Sequence, residues 1–283
     1  MQTIRKKSLL YRSKVEYADY CINHVEGCAH GCRFPCYAMM MAIRFGKVKS
    51  YSDWCKPKLV ENALELLDEE IPKHADKINF VHLCFTTDPF MYGYPEVAKM
   101  SSKIIEKLNS YGIRSTVLTK GLYPAMLADA EKYGFDNEYG ITLVSNDASF
   151  KKEFEPFSAP YNQRVKALKR LHDEGLRTWV SMEPYPTPNL VEQDLNDILE
   201  SVSFVDKIIF GKLNYNTKSS SFKDNEFFYE SHANEVLDFC KENGISCHIK
   251  FGTRKEYNPR TEKMFRTQNT KSDKKLLAPM YAR

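Results

Sequence analysis

The stretch Gly27-Cys28-Ala29-His30-Gly31-Cys32-Arg33-Phe34-Pro35-Cys36-Tyr37-Ala38 decides how the rest of this 283-residue chain is read. Three thiols within nine residues can converge on one metal centre only where the backbone folds into a tight loop. Gly27 and Gly31 supply the conformational freedom for that, and Pro35 a fixed bend. Structural zinc sites take four protein ligands, so three cysteines leave a coordination position open and point to chemistry at the metal. The competing reading of the same residues is a zinc knot completed by Cys21, His24 or His30.

The chain has eight cysteines, the others being Cys21, Cys55, Cys84, Cys240 and Cys247. Its first ten residues carry Arg5, Lys6 and Lys7 with only a scrap of apolar run, which is not the pattern of a secretion signal. No run approaches the roughly 18–20 apolar residues of a membrane span. The expectation is a cytoplasmic protein without membrane association, whose thiols are reduced and whose clustered cysteines mean metal rather than disulfide. Ordinary apolar and charged fractions, 42% and 28%, exclude disorder as the default, and a net charge of +4 permits an anionic partner without requiring one.

Outward from the loop, short apolar runs alternate with longer amphipathic ones. Strands are expected at Tyr17–Asn23, Ile78–Phe85, Arg114–Thr119, Tyr139–Val144, Thr178–Glu183, Lys207–Phe210 and Ser246–Phe251. Helices are expected at Tyr37–Phe45, Lys58–Glu70, Glu96–Tyr111, Tyr123–Tyr133, Tyr161–Glu174, Asn189–Val202 and Ser231–Asn243. Within Glu96–Tyr111, for example, Val97, Met100, Ile104, Leu108 and Tyr111 recur at helical spacing. Gly112, Gly175 and Gly244 stand where left-handed caps would end helices before the next strand. Repeated alternation implies an α/β fold of parallel strands with crossover helices, either an open doubly wound sheet or a complete or partial barrel. In both, function gathers at the carboxyl ends of the strands.

The cysteine loop resembles that of the radical S-adenosylmethionine (SAM) superfamily, and most closely its spore photoproduct lyase-like branch. There a Gly-Cys-x-His-Gly-Cys-x-aromatic-Cys-Tyr-Ala pattern is familiar; Gly27 to Phe34 and Cys36 to Ala38 match it, and Pro35 is one extra residue. Further along, Thr86-Thr87-Asp88-Pro89 with Pro95-Glu96, Thr119-Lys120, Ala159-Pro160 with Arg164, and Glu183-Pro184 follow the branch's order over roughly residues 17 to 250. The resemblance implies a partial (β/α)6 TIM-like barrel with an extra C-terminal strand and an irregular basic tail, divided as a domain of residues 1–252 and a tail of 253–283.

It also implies an enzyme with two cofactors, a 4Fe–4S cluster on Cys28, Cys32 and Cys36 and SAM chelated at the open iron. Reductive cleavage of SAM would give a 5′-deoxyadenosyl radical that abstracts hydrogen from a substrate. The electron would come from a reductant such as flavodoxin or ferredoxin. Arg164 is the first candidate for the SAM carboxylate, and Thr86, Thr87 and Asp88 for its amino group. Lys120 and Ser145 would face ribose or carboxylate, Glu183 would sit beside the radical, and Phe34 and Tyr37 would shield the cluster. Each also has a plain reading: a cap for Asp88, surface pairs for Lys120, Arg164 and Glu183, core packing for the aromatics.

Lys212, Asn214 and Tyr215, just after the sixth strand, are residue types that touch substrates, and Lys250 can join them. Cys84 reads as core. Cys240 and Cys247 are alternatives for a hydrogen-atom donor. Asn214–Asn225 reads as a mobile loop. From Thr253 onward basic residues outnumber acidic ones about three to one and mix with Tyr257 and Phe265, the composition of a phosphate- and base-contacting tail. The plain reading of that tail is a solvated charged face. The branch the chain resembles repairs DNA photoproducts, so the resemblance implies a nucleic acid as the leading substrate, with a small molecule or peptide next and a zinc-stapled, non-catalytic binding protein as the rival from another class.

Overall fold

A computed structural model describes residues 1–13, 19–133 and 136–254. The strands are β1 (Gln2–Ile4), β2 (Leu10–Arg12), β3 (Tyr20–Ile22), β4 (Val25–Glu26), β5 (Lys58–Val60), β6 (Phe80–Leu83), β7 (Arg114–Thr119), β8 (Glu138–Thr142), β9 (Arg177–Tyr185), β10 (Lys207–Lys212) and β11 (Ser246–Ile249). The helices are α1 (Tyr37–Arg44), α2 (Tyr51–Trp54), α3 (Ala63–His74), α4 (Pro95–Ser110), α5 (Ala130–Tyr133), α6 (Ala148–Phe154), α7 (Tyr161–Asp173), α8 (Leu195–Ser201), α9 (Thr217–Ser220) and α10 (Asn225–Glu242).

The main sheet has eight strands in the order β11-β10-β9-β8-β7-β6-β3-β2. Every neighbour pair from β3 to β11 is parallel, and only β2 runs antiparallel, against β3. The sheet is open, with β2 and β11 at its edges, and β11 is the expected extra strand. Strand order follows chain order from β6 to β11, so each crossover helix steps the chain one place along. All the parallel carboxyl ends then face the same rim.

Crossover strands are covered on their faces, and they read as near-continuous apolar runs for that reason. Val117, Ile141, Val180, Met182, Ile208 and Phe210 are fully buried. Into the same core α4, packed on β7, lays Ile104, Ile105 and Leu108, each at 0% exposure and each contributing about 1.5–3 kcal/mol by burial. Its Val97 is buried in a separate cluster with Val25, Cys84 and Met91. Tyr111, expected on that stripe, is exposed instead, because it lies past the last full turn as the cap of α4. Gly112, Gly175 and Gly244 adopt φ of 68°, 81° and 69°, as their positions after helices require.

Several expected elements change. Lys58–Glu70 is not one helix: Lys58–Val60 is β5, which pairs in parallel with β1 and antiparallel with β4 in a separate three-stranded sheet. Three-residue strands are too short to show alternation, and only their long-range pairing defines them. Tyr123–Tyr133 breaks into a 3₁₀ turn at Ala125–Ala128 and the short α5, because Pro124 begins the segment in extended geometry. Asn189–Val202 contributes only α8, and Asn214–Asn225 contains α9 capped by the Asn216 side chain rather than a bare loop. Of the basic tail, Thr253 is buried and Arg254 pairs with Glu230 at 2.8 Å; residues 255–283 lie outside the described residues. Among the described residues no helix is long and apolar enough to cross a membrane.

Candidate functional site

The cysteine loop runs from β4, which the small sheet braces, to α1. It is tied to the body at separated points: Cys28 N–H donates to Trp54 O (2.9 Å), Ala29 N–H to Met91 Sδ (3.3 Å) and Arg33 N–H to Phe154 O (2.8 Å). Gly27 and Gly31 sit at φ +80° and +63°, and a Cβ at Gly31 would stand 2.8 Å from the Phe157 ring. Tyr51 donates its hydroxyl to Gly31 O at 2.5 Å. Phe34 is buried and packs on Phe154 and Phe150, with ring centroids 5.2 and 5.7 Å away, so it anchors the loop's far side. Cys36 is the cap residue of α1, which places the third sulfur at a helix start.

All three loop cysteines are free and half-buried. Burial pushes the Cys32 thiol up to about 11 even though the Lys120 ammonium lies 3.8 Å from its sulfur. Burial and the neighbouring Cys32 and Asp88 charges push Cys28 well above its ordinary range. Such thiols carry protons until a metal displaces them, and a softer, more thiophilic centre does so most readily. The zinc alternative needs a fourth ligand, and each residue offered for it is engaged elsewhere. Cys21 meets Tyr11 at 3.8 Å. His24 accepts from Cys84 at Nδ1 (3.4 Å) and meets Ser101 Oγ at Nε2 (2.8 Å); since Ser101 gives its proton to Pro89 O, that Nε2 is the donor. His30 accepts the Tyr92 N–H at Nε2 (2.9 Å), leaving Nδ1–H to face Asp88 Oδ2 at 3.4 Å. Three thiols in one loop are a donor set that suits a 4Fe–4S cluster better than a zinc site closed by Cys21, His24 or His30. Among the described residues the side chains are not gathered into a group that could hold a metal ion, and Cys55 is a further thiol near Cys36.

Behind the loop lies a polar network that sequence reasoning only partly found. Asp88 is buried and all but saturated: Oδ1 accepts from Phe90 N–H (2.9 Å) and Thr119 Oγ1 (2.6 Å), and Oδ2 from Lys120 N–H (2.7 Å) while facing His30. It ties the ends of β6 and β7 to the cysteine loop. Arg164 is at 0% exposure, with Nε on Ala159 O (2.9 Å), Nη1 on Thr142 O (2.8 Å) and Nη2 on both Glu155 Oε2 (2.7 Å) and Ser158 Oγ. That guanidinium is turned into the protein and holds Glu155. Glu155 itself is wholly buried between Arg164 and the Lys120 ammonium, 2.5 Å from its Oε1. Burial alone would raise its carboxyl, but the two cations outweigh it and hold the group at about 2. Burial would also lower the Lys120 ammonium, and the Cys32 and Glu155 charges raise it instead. Glu155 carries no local signal in the sequence, because its partners lie 35 and 9 residues away.

The other candidates stand along the same rim. Thr86 gives its hydroxyl hydrogen to Asn23 Oδ1 (3.1 Å) and Thr87 to Val25 O (3.2 Å), so both keep lone pairs to accept with. Ser145 is fully buried, accepting from Asp147 N–H at 3.0 Å. At the ends of β9 and β11, Glu183 and Lys250 pair at 2.5 Å while each stays about one-fifth exposed. Lys212, at the end of β10, is half-buried beside Thr253. Tyr215 is 67% exposed in a left-handed backbone conformation (φ 60°) and stacks on Tyr37, ring centroids 6.5 Å apart, so β10's loop meets the cluster loop's helix. Cys240 and Cys247 lie together on α10 and β11, Cys240 buried in the core beneath the sheet. A surface groove of about 990 Å³ lies elsewhere, along α7 and the end of α8, lined by residues such as Lys166, Lys169 and Phe204 and by none of these candidates.

Comparison with known proteins places this arrangement in a family. Residues 22–202, more than half of the chain, match the Radical SAM superfamily model, and the chain belongs to that superfamily of enzymes. An uncharacterized protein of Methanocaldococcus jannaschii is 27% identical over 190 residues, 67% of this chain and 68% of that one. An uncharacterized protein of Acidianus two-tailed virus is 25% identical over 193 residues, 65% of this chain but only 61% of the viral protein. Among solved structures, a spore photoproduct lyase variant with bound AdoMet and dinucleoside spore photoproduct aligns with a TM-score of 0.60 at 14% identity, covering 87% of this chain and 80% of that one. At that identity the likeness is one of fold. The superfamily implies an iron–sulfur cluster and SAM.

Proposed function

We propose that this enzyme cleaves SAM reductively at a 4Fe–4S cluster held by Cys28, Cys32 and Cys36, and that its substrate is a nucleic acid. The observation that carries the first part is the pinned loop of three half-buried, free thiols with Lys120 alone among cations at hydrogen-bonding distance of a sulfur among the described residues. We read the open sheet as a partial (β/α)6 barrel, residues 1–252 as its domain and 253–283 as a basic tail beside it. When bound, cluster and SAM together supply a 5′-deoxyadenosyl radical that takes hydrogen from the substrate.

The chain's own residues do the positioning. Lys120 keeps its charge through Glu155 and directs its remaining donors toward the rim, where it takes the SAM carboxylate that Arg164 cannot reach. Thr86 and Thr87 accept from the SAM ammonium, and Asp88 holds the loop beneath them. Ser145, wholly buried, shapes the turn after β8 through Asp147 rather than touching the ribose. Phe34 excludes water from the cluster's inner side. Glu183, with Lys212, Lys250 and Tyr215, faces the substrate. A nucleic-acid substrate is favoured by the bound dinucleoside of the structural relative and by the basic, aromatic tail.

The test is anaerobic reconstitution with iron and sulfide, then reduction by dithionite with SAM, reading 5′-deoxyadenosine by chromatography. Product from the wild type, but not from the Cys28→Ala/Cys32→Ala/Cys36→Ala variant, is expected. A stoichiometric zinc and no cluster would end the reading. For the substrate, full-length chain should bind oligonucleotides with an affinity that falls steeply with salt; salt-indifferent or absent binding would turn the search to small molecules or peptides.

A further inference from the structure

Cys240 and Cys247 stand on either side of the turn that joins α10 to β11, far in sequence from the cysteine loop. Gly244 takes φ 69° there, and Ile245 N–H returns to Cys240 O at 2.8 Å, a reversal of the Schellman kind. The reversal lays β11 back across the last turn of α10. Two periodicities then aim both sulfurs at the same seam. On α10, Cys240 continues the buried stripe of Tyr229, Ala233 and Val236 at helical spacing. On β11, Cys247 and Ile249 share a face, and Ile249 is buried in the core that α10 also enters. Cys240 belongs to that core at 1% exposure, while Cys247 packs against it and stays half-buried.

The two thiols act on each other. A hydrogen bond from Cys247 lowers Cys240 from the ordinary thiol range against the opposing effect of burial, and the same interaction, with burial, raises Cys247. Removing one proton thus leaves a thiolate steadied by its neighbour's S–H, so the pair gives up its first proton more readily than a lone buried thiol. By contrast, burial pushes Cys21 up to about 11 and Cys84 up to about 12. β11 is also an edge strand, paired in the sheet with β10 alone. A small shift of the strand toward α10 is therefore not resisted by a neighbour on its outer side.

We propose that Cys240 and Cys247 form a redox-active dithiol that hydrogen peroxide closes into a disulfide, fastening the edge strand to α10. Cys247, the sulfur nearer solvent, attacks the peroxide: an S–O bond forms, the O–O bond breaks, and the departing hydroxide leaves as water with the thiol proton. Cys240 then attacks the sulfenic sulfur. The S–S bond forms, the S–OH bond breaks, and a second water carries off the Cys240 proton. Two electrons pass from the pair to the peroxide, and a dithiol reductant returns them. Lys250 lies three residues beyond Cys247 and pairs with Glu183, so the bond steadies the strand whose end carries that pair. This chemistry rests on neither the cluster nor the substrate reading.

The test treats full-length protein, with and without its reconstituted cluster, with hydrogen peroxide, then unfolds it in iodoacetamide and digests it with trypsin. Trypsin cuts after Lys223, Lys241 and Lys250, so the two cysteines fall on separate peptides, 224–241 and 242–250, which only a disulfide keeps joined. Mass spectrometry should find the joined pair as the main form of this region, and a dithiol reductant should release it. Amide exchange of residues 246–249 should slow by about tenfold or more on oxidation, because the cross-link opposes opening of the strand. Cys247→Ser should show neither the link nor the slowing. Cys240→Ala should leave Cys247 as a sulfenic acid that dimedone traps. Both cysteines recovered alkylated after peroxide, a Cys247 sulfinic acid without the link, or either cysteine joined to a different thiol would overturn the dithiol. Formation of the link with unchanged exchange would overturn its fastening of β11.

Discussion

Replacing Glu155 with glutamine tests whether the buried network behind the cysteine loop does what its geometry says. The substitution keeps the shape and one carbonyl acceptor but removes the only carboxylate contacting Arg164 and Lys120 among the described contacts. Two routes give its cost. Holding the carboxyl at about 2 against an ordinary 4.5 corresponds to about 3 kcal/mol of differential interaction. Breaking a buried ion pair by removing one partner costs about 3–5 kcal/mol, because the other charge is stranded. A depressed carboxyl stabilises the fold fully above its unfolded value and loses that contribution as pH falls through the folded one, so at pH 7 the whole effect is present. With a urea slope of about 2–3 kcal/mol per molar, the unfolding midpoint should fall by about 1–2 M. The assay is urea denaturation of the cluster-free chain under reductant, with exposed Glu153→Gln as control. In a Lys120→Met background the penalty should shrink by at least ~1 kcal/mol, the coupling expected of neighbours. A loss below about 1 kcal/mol, or no coupling to Lys120, would refute a dry, interdependent triad.

Other consequences follow from the same structure. Burial lowers His24 and His82 to about 3 each, so both stay neutral when folded while their unfolded forms titrate near 6.5. Stability should therefore be complete above about pH 6.5 and decline by about 1.4 kcal/mol per histidine per pH unit below it; a His82→Gln variant with an unchanged slope of urea midpoint against pH would contradict this. Gly31→Ala forces a Cβ to 2.8 Å from Phe157 in a left-handed conformation. It should cost about 1–3 kcal/mol and lower the iron and sulfide retained per chain; full cluster content would show that the loop relaxes freely. Lys120→Met should leave cluster content near wild type while weakening SAM binding at least tenfold by calorimetry, and unchanged affinity would remove Lys120 from the SAM site.

The sequence is most readable where the chemistry is local. Three cysteines, two glycines and a proline within twelve residues carry the resemblance to the superfamily that the family match bears out, and the alternation of apolar runs places the long strands within a few residues of their observed ends. It is least readable where a residue's role is set by distant partners. Asp88 and Arg164 stand out by their position at a strand end and a helix start, but both are buried and bonded inward, which no local pattern reveals. Glu155 completes their network without any periodic or motif signal. β5 reads locally as helix because the pairing that makes it a strand joins residues 56 apart, as in Gln2 with Lys58. Helix α1 forms where the sequence places it, but that its apolar surface stays uncovered is a property of tertiary packing alone.

The rim of the sheet is divided in its freedom to change. From β3 to β8 its polar groups bond chiefly to one another, so that Asp88, Glu155 and Arg164 each answer for several others, and a replacement there disturbs a set. At β9 to β11, Glu183 and Lys250 form a partly exposed pair, Lys212 is half-buried and Tyr215 stands out from the surface. Substitutions at those four positions alter the lining of the mouth without unpicking the interior. Under the proposed assignment a lineage can hold its radical-generating half fixed while exploring new substrates on the other, and a mutational library that tests it belongs at positions 183, 212, 215 and 250.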